Sequence, residues 1–117
     1  MGARRDDPND RRGAVVAPVQ GEIWWAEAEN KRRPVMIVTR SQAATNLSTL
    51  VVAPVTRTVR GIPTEIPLGR REGLGVDCVA TFDNLQPALR STLTDRIGSL
   101  ERPRWEICRA LSALADC

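Results

Sequence analysis

Short apolar runs bounded by polar residues are the dominant pattern in the middle of this chain. Residues 35–38 and 50–55 form two such runs of β-branched and aliphatic side chains, separated by a polar segment of Ser, Gln, Asn and Thr. Runs of this length between polar breakers are typical of buried strands rather than helices. Arg33 lies just before the first run, and Thr56 directly follows the second run. We therefore expect two polar side chains to meet where two neighbouring strands end.

The same pattern predicts five or six short strands in total. They are predicted at residues 19–25, 33–39, 49–56, 64–68, 77–82 and 96–100, with 64–68 in a hairpin with 49–56. Polar loops are predicted over 27–33 and 40–48, a turn at 83–84, and one helical turn within 89–95. Pro54 implies an edge or a bulge in the third strand, because proline cannot donate a ladder hydrogen bond.

Two details of the first strand bear on its surroundings. Gly21 is expected at a bend or a close approach of two backbones. Trp24 and Trp25 must point to opposite faces of a strand. One is therefore expected in the core, which leaves the other free for stacking or a subunit contact.

One helix is evident, near the C-terminus. Pro103 suits a first helical turn, and apolar residues recur after it at helical spacing. We predict that this stripe packs in the core or at a dimer contact. Together, short strands and one covering helix predict a mainly β fold with a C-terminal helix, a small and partly open β-barrel. The stripe comprises Trp105, Ile107, Cys108, Leu111, Leu114 and Ala115.

Composition sets bounds on this picture. A chain of 117 residues with 42% apolar and 26% charged residues is typical of one soluble globular domain. Residues 1–17 lack periodicity, which predicts a flexible tail before a single domain at 18–117. Neither an apolar run of roughly 20 residues nor a secretory signal is found, so no membrane association is expected. Cys78, Cys108 and Cys117 lack metal-ligand spacing and fit reduced thiols in a cytoplasmic protein.

Two further features restrict the chemistry. The chain contains no His and no Tyr, which excludes an imidazole base and the common zinc hydrolase sites. Between residues 31 and 71, eight Lys and Arg residues stand against one acid, Glu65. Such a segment, folded onto one face, would attract a polyanion. The expected partner is a nucleic acid or an acidic peptide; the alternative is a solvated, Arg-rich surface.

Taken in order, these segments resemble the MazF/PemK toxin family from about residue 19 to near the C-terminus. The resemblance implies an SH3-like barrel of the MazF/PemK/CcdB type that forms a homodimer. It also implies a toxin that cleaves single-stranded RNA at short sequences without a metal or other cofactor, inhibits translation and growth, and is blocked by a small acidic antitoxin. The segments are GEIWW (21–25), RRPVMIVTR (32–40), Asn46, VVAPVTR (51–57), VRGIPTEIPL (59–68), VDCVATFDNL (76–85) and RIGSL (96–100).

The resemblance places the family's catalytic pair on Arg33 and Thr56, and elementary chemistry agrees. RNA is cut when its 2′-hydroxyl group attacks the adjacent phosphate in line, which leaves a cyclic phosphate and a 5′-hydroxyl end. The Arg33 guanidinium would offer forked donors to the phosphorane and act as the acid, while the Thr56 hydroxyl would fix the attack geometry. Neither is a good proton acceptor, so Glu22 and Asp83 are the candidate bases. A strand-surface charge and a turn-forming side chain are their plain structural alternatives.

The remaining candidate residues are assigned to RNA binding. Unstacked single strands are bound through phosphates, by stacking, and by hydrogen bonds to base edges. Two other functions stay open at this point: a gyrase-binding toxin of the CcdB type and a non-catalytic RNA-binding barrel. The expected phosphate contacts are Arg40, Arg57, Thr58 and Arg60, and the expected base contacts are Trp25 and Asn84.

Two positions depart from the family pattern. Relatives of the Kid/PemK branch have a catalytic Arg where this chain has Thr81, so only the neighbouring Asp83 is shared with them. The family often has an Arg just before the Leu of its xRL segment, where this chain has Thr92 followed by Leu93.

Overall fold

Seven short strands precede one helix in the computed structural model, which describes residues 17–40 and 47–115. The predicted tail up to residue 16, the centre of the predicted 40–48 loop and Cys117 lie outside the described residues. No helix in the described ranges is both long and apolar enough to cross a membrane. The strands are β1 (Glu22–Ala28), β2 (Lys31–Ile37), β3 (Thr49–Thr56), β4 (Glu65–Leu68), β5 (Cys78–Thr81), β6 (Gln86–Leu89) and β7 (Leu93–Ser99), and the helix is α1 (Pro103–Leu114).

Strand β3 is the centre of an antiparallel sheet in the order β4-β5-β3-β2-β1-β7. On one side it pairs with β2. On its other side the first half pairs with β6 and the last two residues pair with β5. The sheet curls into a half-barrel with α1 packed against it, which confirms the predicted mainly β fold with a C-terminal helix.

Pro54 lies where β3 exchanges one neighbour for another. The pairing with β6 ends at Val52, and the pairing with β5 begins at Val55. The prediction of an edge strand or a bulge was wrong, since β3 has neighbours on both sides. A residue in the gap between two ladders need not donate to the strand on that side, and a proline is tolerated there.

The predicted loop over 27–33 was also wrong, because β1 and β2 form a tight hairpin. The connection is only Glu29-Asn30, and both residues have positive φ, 53° and 68°. Positive φ at both central residues is what a two-residue type I′ turn requires. The hairpin was missed because Glu-Asn lacks the glycine that normally marks this turn. The charged residues on both flanking strands are also typical of a loop. Arg33 is consequently a strand residue with a defined partner.

Three further differences concern the C-terminal half. Strand β4 pairs with β5 and not with β3, so the predicted hairpin of 64–68 with 49–56 was wrong. Strand β6 was not predicted, because its sequence Gln-Pro-Ala-Leu is short and carries a proline. The helical turn predicted within 89–95 is confirmed as a 3₁₀ turn over Arg90–Thr92, but β7 starts directly after it at Leu93 and not at the predicted residue 96.

Apolar side chains form two clusters on the two faces of the sheet. The larger cluster, between the sheet and α1, includes Ile23, Met36 and Phe82 from the sheet side and Ile107 and Ala110 from the helix. The smaller one lies on the opposite face. It comprises Ala26, Val35, Ile37, Leu50, Val52 and Leu93, with Trp24 and Ala88 packed against it.

The predicted helical stripe is only partly in the core. Ile107 is buried and Leu111 is half-buried against the larger cluster. Trp105 is 58% exposed and Cys108 is also exposed, so these two lie outside the core. Since the predicted stripe is wider than the contact between α1 and the sheet, one edge of it stays in solvent. Cys78 and Cys108 are free thiols, as predicted.

Gly21 joins the two ends of the described chain. Its N–H donates to the Ile37 carbonyl oxygen (2.8 Å), and its own carbonyl accepts from the Leu100 N–H (2.9 Å). Its φ is 88°, and a Cβ at this position would collide with the Pro103 side chain. The predicted close approach therefore occurs at the start of α1.

Candidate active site

Arg33 and Thr56 are brought together by the register of β2 and β3. Val35 pairs with Pro54 in the last pair of the ladder, and this register, continued two residues toward the start of β2 and the end of β3, sets Arg33 opposite Thr56. On its other side, Arg33 pairs with Ala26 of β1. Because side chains alternate along a strand, Arg33 and Thr56 share the face that carries Val35 and the smaller cluster.

Two cavities adjoin this pair. The first cavity, about 550 Å³, has an apolar floor formed by Ala26, Val35, Val52 and Ala88. The second cavity, about 470 Å³, is lined by apolar side chains that include Leu74 and Ile97. The pair therefore sits at the divide between two concave surfaces. The residues that line both cavities are Arg33, Pro34, Val55 and Thr56.

The two side chains of the pair are available to a ligand. Arg33 is exposed, and its guanidinium makes no hydrogen bond or ion pair within residues 17–40 and 47–115. The Thr56 side chain is anchored, because its Oγ1 accepts a hydrogen bond from the Thr58 N–H at 3.1 Å. A hydroxyl that accepts from the backbone keeps its own proton for donation. Thr56 can thus donate a hydrogen bond into the divide.

Five of the six predicted RNA contacts line these cavities, and four of the five are polar. Thr58, Arg60 and Asn84 line the first cavity, and Arg57 lines the second. Arg57 and Arg60 are exposed, which leaves their charges open to a polyanion. The Arg60 guanidinium lies 3.9 Å from the Asp83 carboxylate, so part of its charge is already balanced.

Trp25 lines the second cavity, on the opposite face from Trp24. The Arg32 guanidinium lies 4.8 Å from the centroid of the Trp25 ring. Arg32 is itself held by Asp95, at 3.0 Å. One face of the Trp25 ring is therefore stacked within the protein, in cation–π geometry.

Arg40 is not brought to the cavities. It follows β2 at the end opposite Arg33, and seven residues of extended chain correspond to roughly 23 Å. Its side chain is exposed. A contact between Arg40 and the ligand at the divide would require a ligand that runs the length of β2.

Neither predicted base lies in a cavity with the pair. Glu22 is at the far end of β1, where Oε2 accepts from Arg96 Nε at 2.8 Å and Oε1 accepts from Trp24 Nε1 at 3.0 Å. The Asp83 carboxylate accepts from the Thr64 hydroxyl at 2.9 Å and faces Arg60. Both carboxylates thus have structural partners.

Five polar residues that the sequence did not assign to the site also line the first cavity: Glu27, Glu65, Thr81, Gln86 and Thr92. Glu27 is exposed and makes no hydrogen bond or ion pair to the described residues. Sequence analysis placed Glu27 in a loop over 27–33. In the structure it is a strand residue that directly follows Ala26, the partner of Arg33. Glu65 and Thr81 are brought in by the β4–β5 pairing, which no local sequence signal specified.

The nearby thiol is not a nucleophile. Cys78 lines the second cavity but is buried. Burial raises the pKa of the Cys78 thiol, and the charges of Asp77 and Glu72 raise it further. The side chain is therefore the neutral thiol at neutral pH. Among the described residues, no three His, Cys, Asp or Glu side chains are placed to share a metal ion.

Comparison with known proteins gives consistent matches. The family model of PemK-like, MazF-like toxins of type II toxin–antitoxin systems matches residues 19–114. The "Probable endoribonuclease MazF5" of Mycobacterium tuberculosis is 36% identical over 112 residues, which are 88% of this chain and 97% of that protein. The structure of the Mycobacterium tuberculosis toxin MazF-mt6 has a TM-score of 0.70 and 35% identity, over 78% of this chain and 92% of that one. An endoribonuclease from mycobacterial species, in complex with its cognate antitoxin, has a TM-score of 0.71 and 26% identity, over 84% and 95% of the two chains.

Proposed function

The chain belongs to the PemK/MazF family of toxins of type II toxin–antitoxin systems and is an endoribonuclease, and we propose that it cuts single-stranded RNA by attack of the 2′-hydroxyl group at Arg33 and Thr56. The observation that carries this proposal is the register of β2 and β3, which sets a guanidinium without a partner among the described residues opposite an anchored hydroxyl, between two cavities. The toxin domain comprises residues 18–117, and the protein acts in the cytoplasm.

The proposed reaction needs no metal ion. The 2′-oxygen forms a bond to the phosphorus while the bond from phosphorus to the 5′-oxygen breaks, which gives a 2′,3′-cyclic phosphate and a 5′-hydroxyl end. Arg33 donates to the non-bridging oxygens, whose charge grows in the transition state, and gives a proton to the leaving 5′-oxygen. Thr56 donates a hydrogen bond that holds the phosphate in line with the attacking oxygen.

Glu27 is the proposed acceptor of the 2′-hydroxyl proton. Glu27 is exposed, lines the first cavity and makes no hydrogen bond or ion pair to the described residues; on β1 it follows Ala26, the partner of Arg33, and is opposite Arg32. A general base must reach the proton that it removes, and Glu22 and Asp83 are each held elsewhere by other side chains. In this proposal Glu22 and Asp83 stabilise the fold and take no part in the proton transfer.

The RNA strand runs along the two cavities, past the exposed cations Arg57 and Arg60. Arg57, Thr58 and Arg60 contact phosphates on either side of the cut, and Asn84 and Trp25 contact bases in the first and second cavities. An acidic segment of an antitoxin would compete for the same cations. The similar endoribonuclease from mycobacterial species was solved in complex with its cognate antitoxin, which supports a partner of this kind for this chain.

A homodimer is the proposed assembly. Val51 on β3, Leu89 on β6 and Trp105 on α1 are large apolar side chains that are 43%, 54% and 58% exposed. A second copy of the chain would remove some of this apolar surface from water.

Incubation of the purified protein with a long RNA in EDTA, followed by sequencing of 5′-hydroxyl ends, tests the proposal. We expect discrete fragments from the wild type and none from Arg33→Ala. Arg71→Ala is the matched control, because Arg71 is an exposed Arg that lines neither cavity. A gyrase-binding toxin or a non-catalytic RNA-binding barrel would give no fragments with any variant. Cleavage that survives in both Arg33→Ala and Thr56→Val would refute the assignment of the pair.

A further inference from the structure

Glu65 and Thr81 form a buried polar pair in the wall of the first cavity. They are directly opposite each other on β4 and β5, and both side chains are 4% exposed. Residues at directly opposite positions of an antiparallel pair point to the same face, with their Cβ atoms roughly 5 Å apart. Both line the cavity that also contains Arg33.

The hydrogen bonds of this pair are incomplete. Glu65 Oε1 accepts from the Arg60 N–H at 3.0 Å and from the Gly61 N–H at 3.1 Å. Oε2 accepts no hydrogen bond from the described part of the chain. The Thr81 Oγ1 is buried and has no hydrogen-bond partner within residues 17–40 and 47–115. Buried hydroxyls almost always have a partner, and leaving one without it costs stability.

Anchoring of the 60–61 turn explains only half of this arrangement. It accounts for Glu65 Oε1, and a neutral glutamine would accept the same two N–H groups. It accounts neither for a free carboxylate oxygen nor for the orphan hydroxyl beside it. The wall of the cavity thus offers one unused acceptor and one unused donor, side by side.

The pair lies one step from the site of cleavage. Thr56 pairs with Val79 of β5, and Thr81 is two residues further along that strand on the same face. Two residues of extended chain span roughly 7 Å. A base that reaches Glu65 and Thr81 therefore belongs to a nucleotide next to the phosphate held by Arg33 and Thr56.

We propose that Glu65 and Thr81 form a nucleobase subsite that selects cytosine or adenine, a specificity that rests on the endoribonuclease function proposed above. The exocyclic amino group of either base donates to Glu65 Oε2, and the neighbouring ring nitrogen accepts from the Thr81 hydroxyl. Uracil carries the opposite order, with a carbonyl oxygen in place of the amino group and an N–H in place of the ring acceptor. Guanine likewise has an oxygen and an N–H at these positions. In the same pose both therefore place a carbonyl oxygen against Glu65 Oε2, which repels it and leaves that oxygen without a donor, even though the Thr81 hydroxyl can accept from their N–H.

The test measures binding as well as cleavage. Hexamers of 2′-O-methyl cytidine, adenosine, uridine and guanosine cannot be cut by 2′-hydroxyl attack, and their affinities are compared by fluorescence anisotropy at one salt concentration. For the wild type we expect tighter binding of the cytidine and adenosine hexamers by roughly 5- to 150-fold, as one good base contact gives. Glu65→Gln keeps the acceptor for the turn but presents an NH₂ group in place of Oε2. We expect this variant to shift the cytidine-to-uridine ratio toward uridine by at least roughly tenfold.

Thr81→Val and Glu101→Gln complete the experiment. Thr81→Val removes the orphan hydroxyl with little change of shape and should fold even if Glu65→Gln does not; we expect it to lower the discrimination as well. Glu101→Gln makes the same change of charge at an exposed position outside both cavities and should bind like the wild type. Unchanged base ratios in Glu65→Gln and Thr81→Val overturn the subsite. A wild type that shows the base preference but leaves ordinary RNA uncut overturns the cleavage proposal alone, and a wild type that binds none of the hexamers overturns the subsite.

Discussion

The isolation of Arg33 predicts that activity and stability respond very differently to its removal. The guanidinium is exposed and makes no hydrogen bond or ion pair to the described residues. Surface substitutions without such contacts change the free energy of unfolding by no more than about 0.5 kcal/mol. Arg33→Ala should therefore unfold in urea at the same midpoint as the wild type, within that margin.

The catalytic cost is expected to be far larger. Removal of one preorganised donor to a developing oxyanion typically lowers kcat by about 10²- to 10³-fold, or about 2.7–4 kcal/mol. A guanidinium supplies two forked donors and the proton for the leaving oxygen, so the loss in Arg33→Ala should be at least roughly 10³-fold. Arg33→Lys keeps the charge but presents a point donor without the fork, and its kcat should fall between the two.

Single-turnover cleavage of one short RNA with a fluorescent reporter measures these rates directly. Arg71→Ala serves as the matched control, with a rate within about twofold of the wild type. Two results would refute the reasoning. A loss of more than about 1 kcal/mol in the unfolding of Arg33→Ala would mean that the side chain has a structural role. A kcat within about threefold of the wild type would mean that it does not contact the reacting phosphate.

Three further predictions concern residues around the site. Glu27→Gln should lower kcat by about 10²- to 10⁴-fold in the same assay, with Glu101→Gln unchanged; equal rates would exclude Glu27 as the base. Because the pKa of Cys78 is raised in the folded state, the unfolded chain loses its thiol proton first as the pH rises through its ordinary value of 9.0. The free energy of unfolding should therefore fall above that pH, and urea titrations of Cys78→Ala should lack this component. Gly21→Ala forces a side chain onto Pro103 at a φ of 88° and should cost more than about 1 kcal/mol in urea unfolding; an unchanged midpoint would show that the chain relaxes there freely.

The elements that the sequence predicted correctly are those fixed by residues close together in the chain. β3 was predicted with its bounds, since an apolar run at 50–55 between polar residues suffices, and the start of α1 followed from Pro103. The β1–β2 hairpin was missed, because its turn takes positive φ at Glu29 and Asn30 without a glycine. The pairing of β4 with β5 is a long-range choice that depends on the curvature of the whole sheet.

The site divides in the same way. The resemblance to the MazF/PemK family identified Arg33 and Thr56 as the candidate pair. The register of β2 and β3 then sets them opposite each other. Glu65 and Thr81 are sixteen positions apart in the sequence (81 − 65) and meet only through a strand pairing that the sequence analysis assigned elsewhere. Arg40 is adjacent to the second strand in sequence but lies at its far end. Charge alone could not distinguish the two ends.

The exchange of neighbours along β3 has a mechanical consequence for this molecule. The β2–β3 ladder ends at Val35 and Pro54, one step before Arg33 and Thr56, and β3 pairs on its other side with β6 and then with β5. At Pro54 the sheet forks, and β6 and the β4–β5 pair form two leaves that flank the first cavity. The β6 leaf pairs with residues 49–52 of β3, whereas the β5 leaf pairs with Thr56 itself, through Val79. Substitutions in β6 can therefore alter the width of the groove, and with it the choice of RNA, without disturbing the backbone pairing of Thr56.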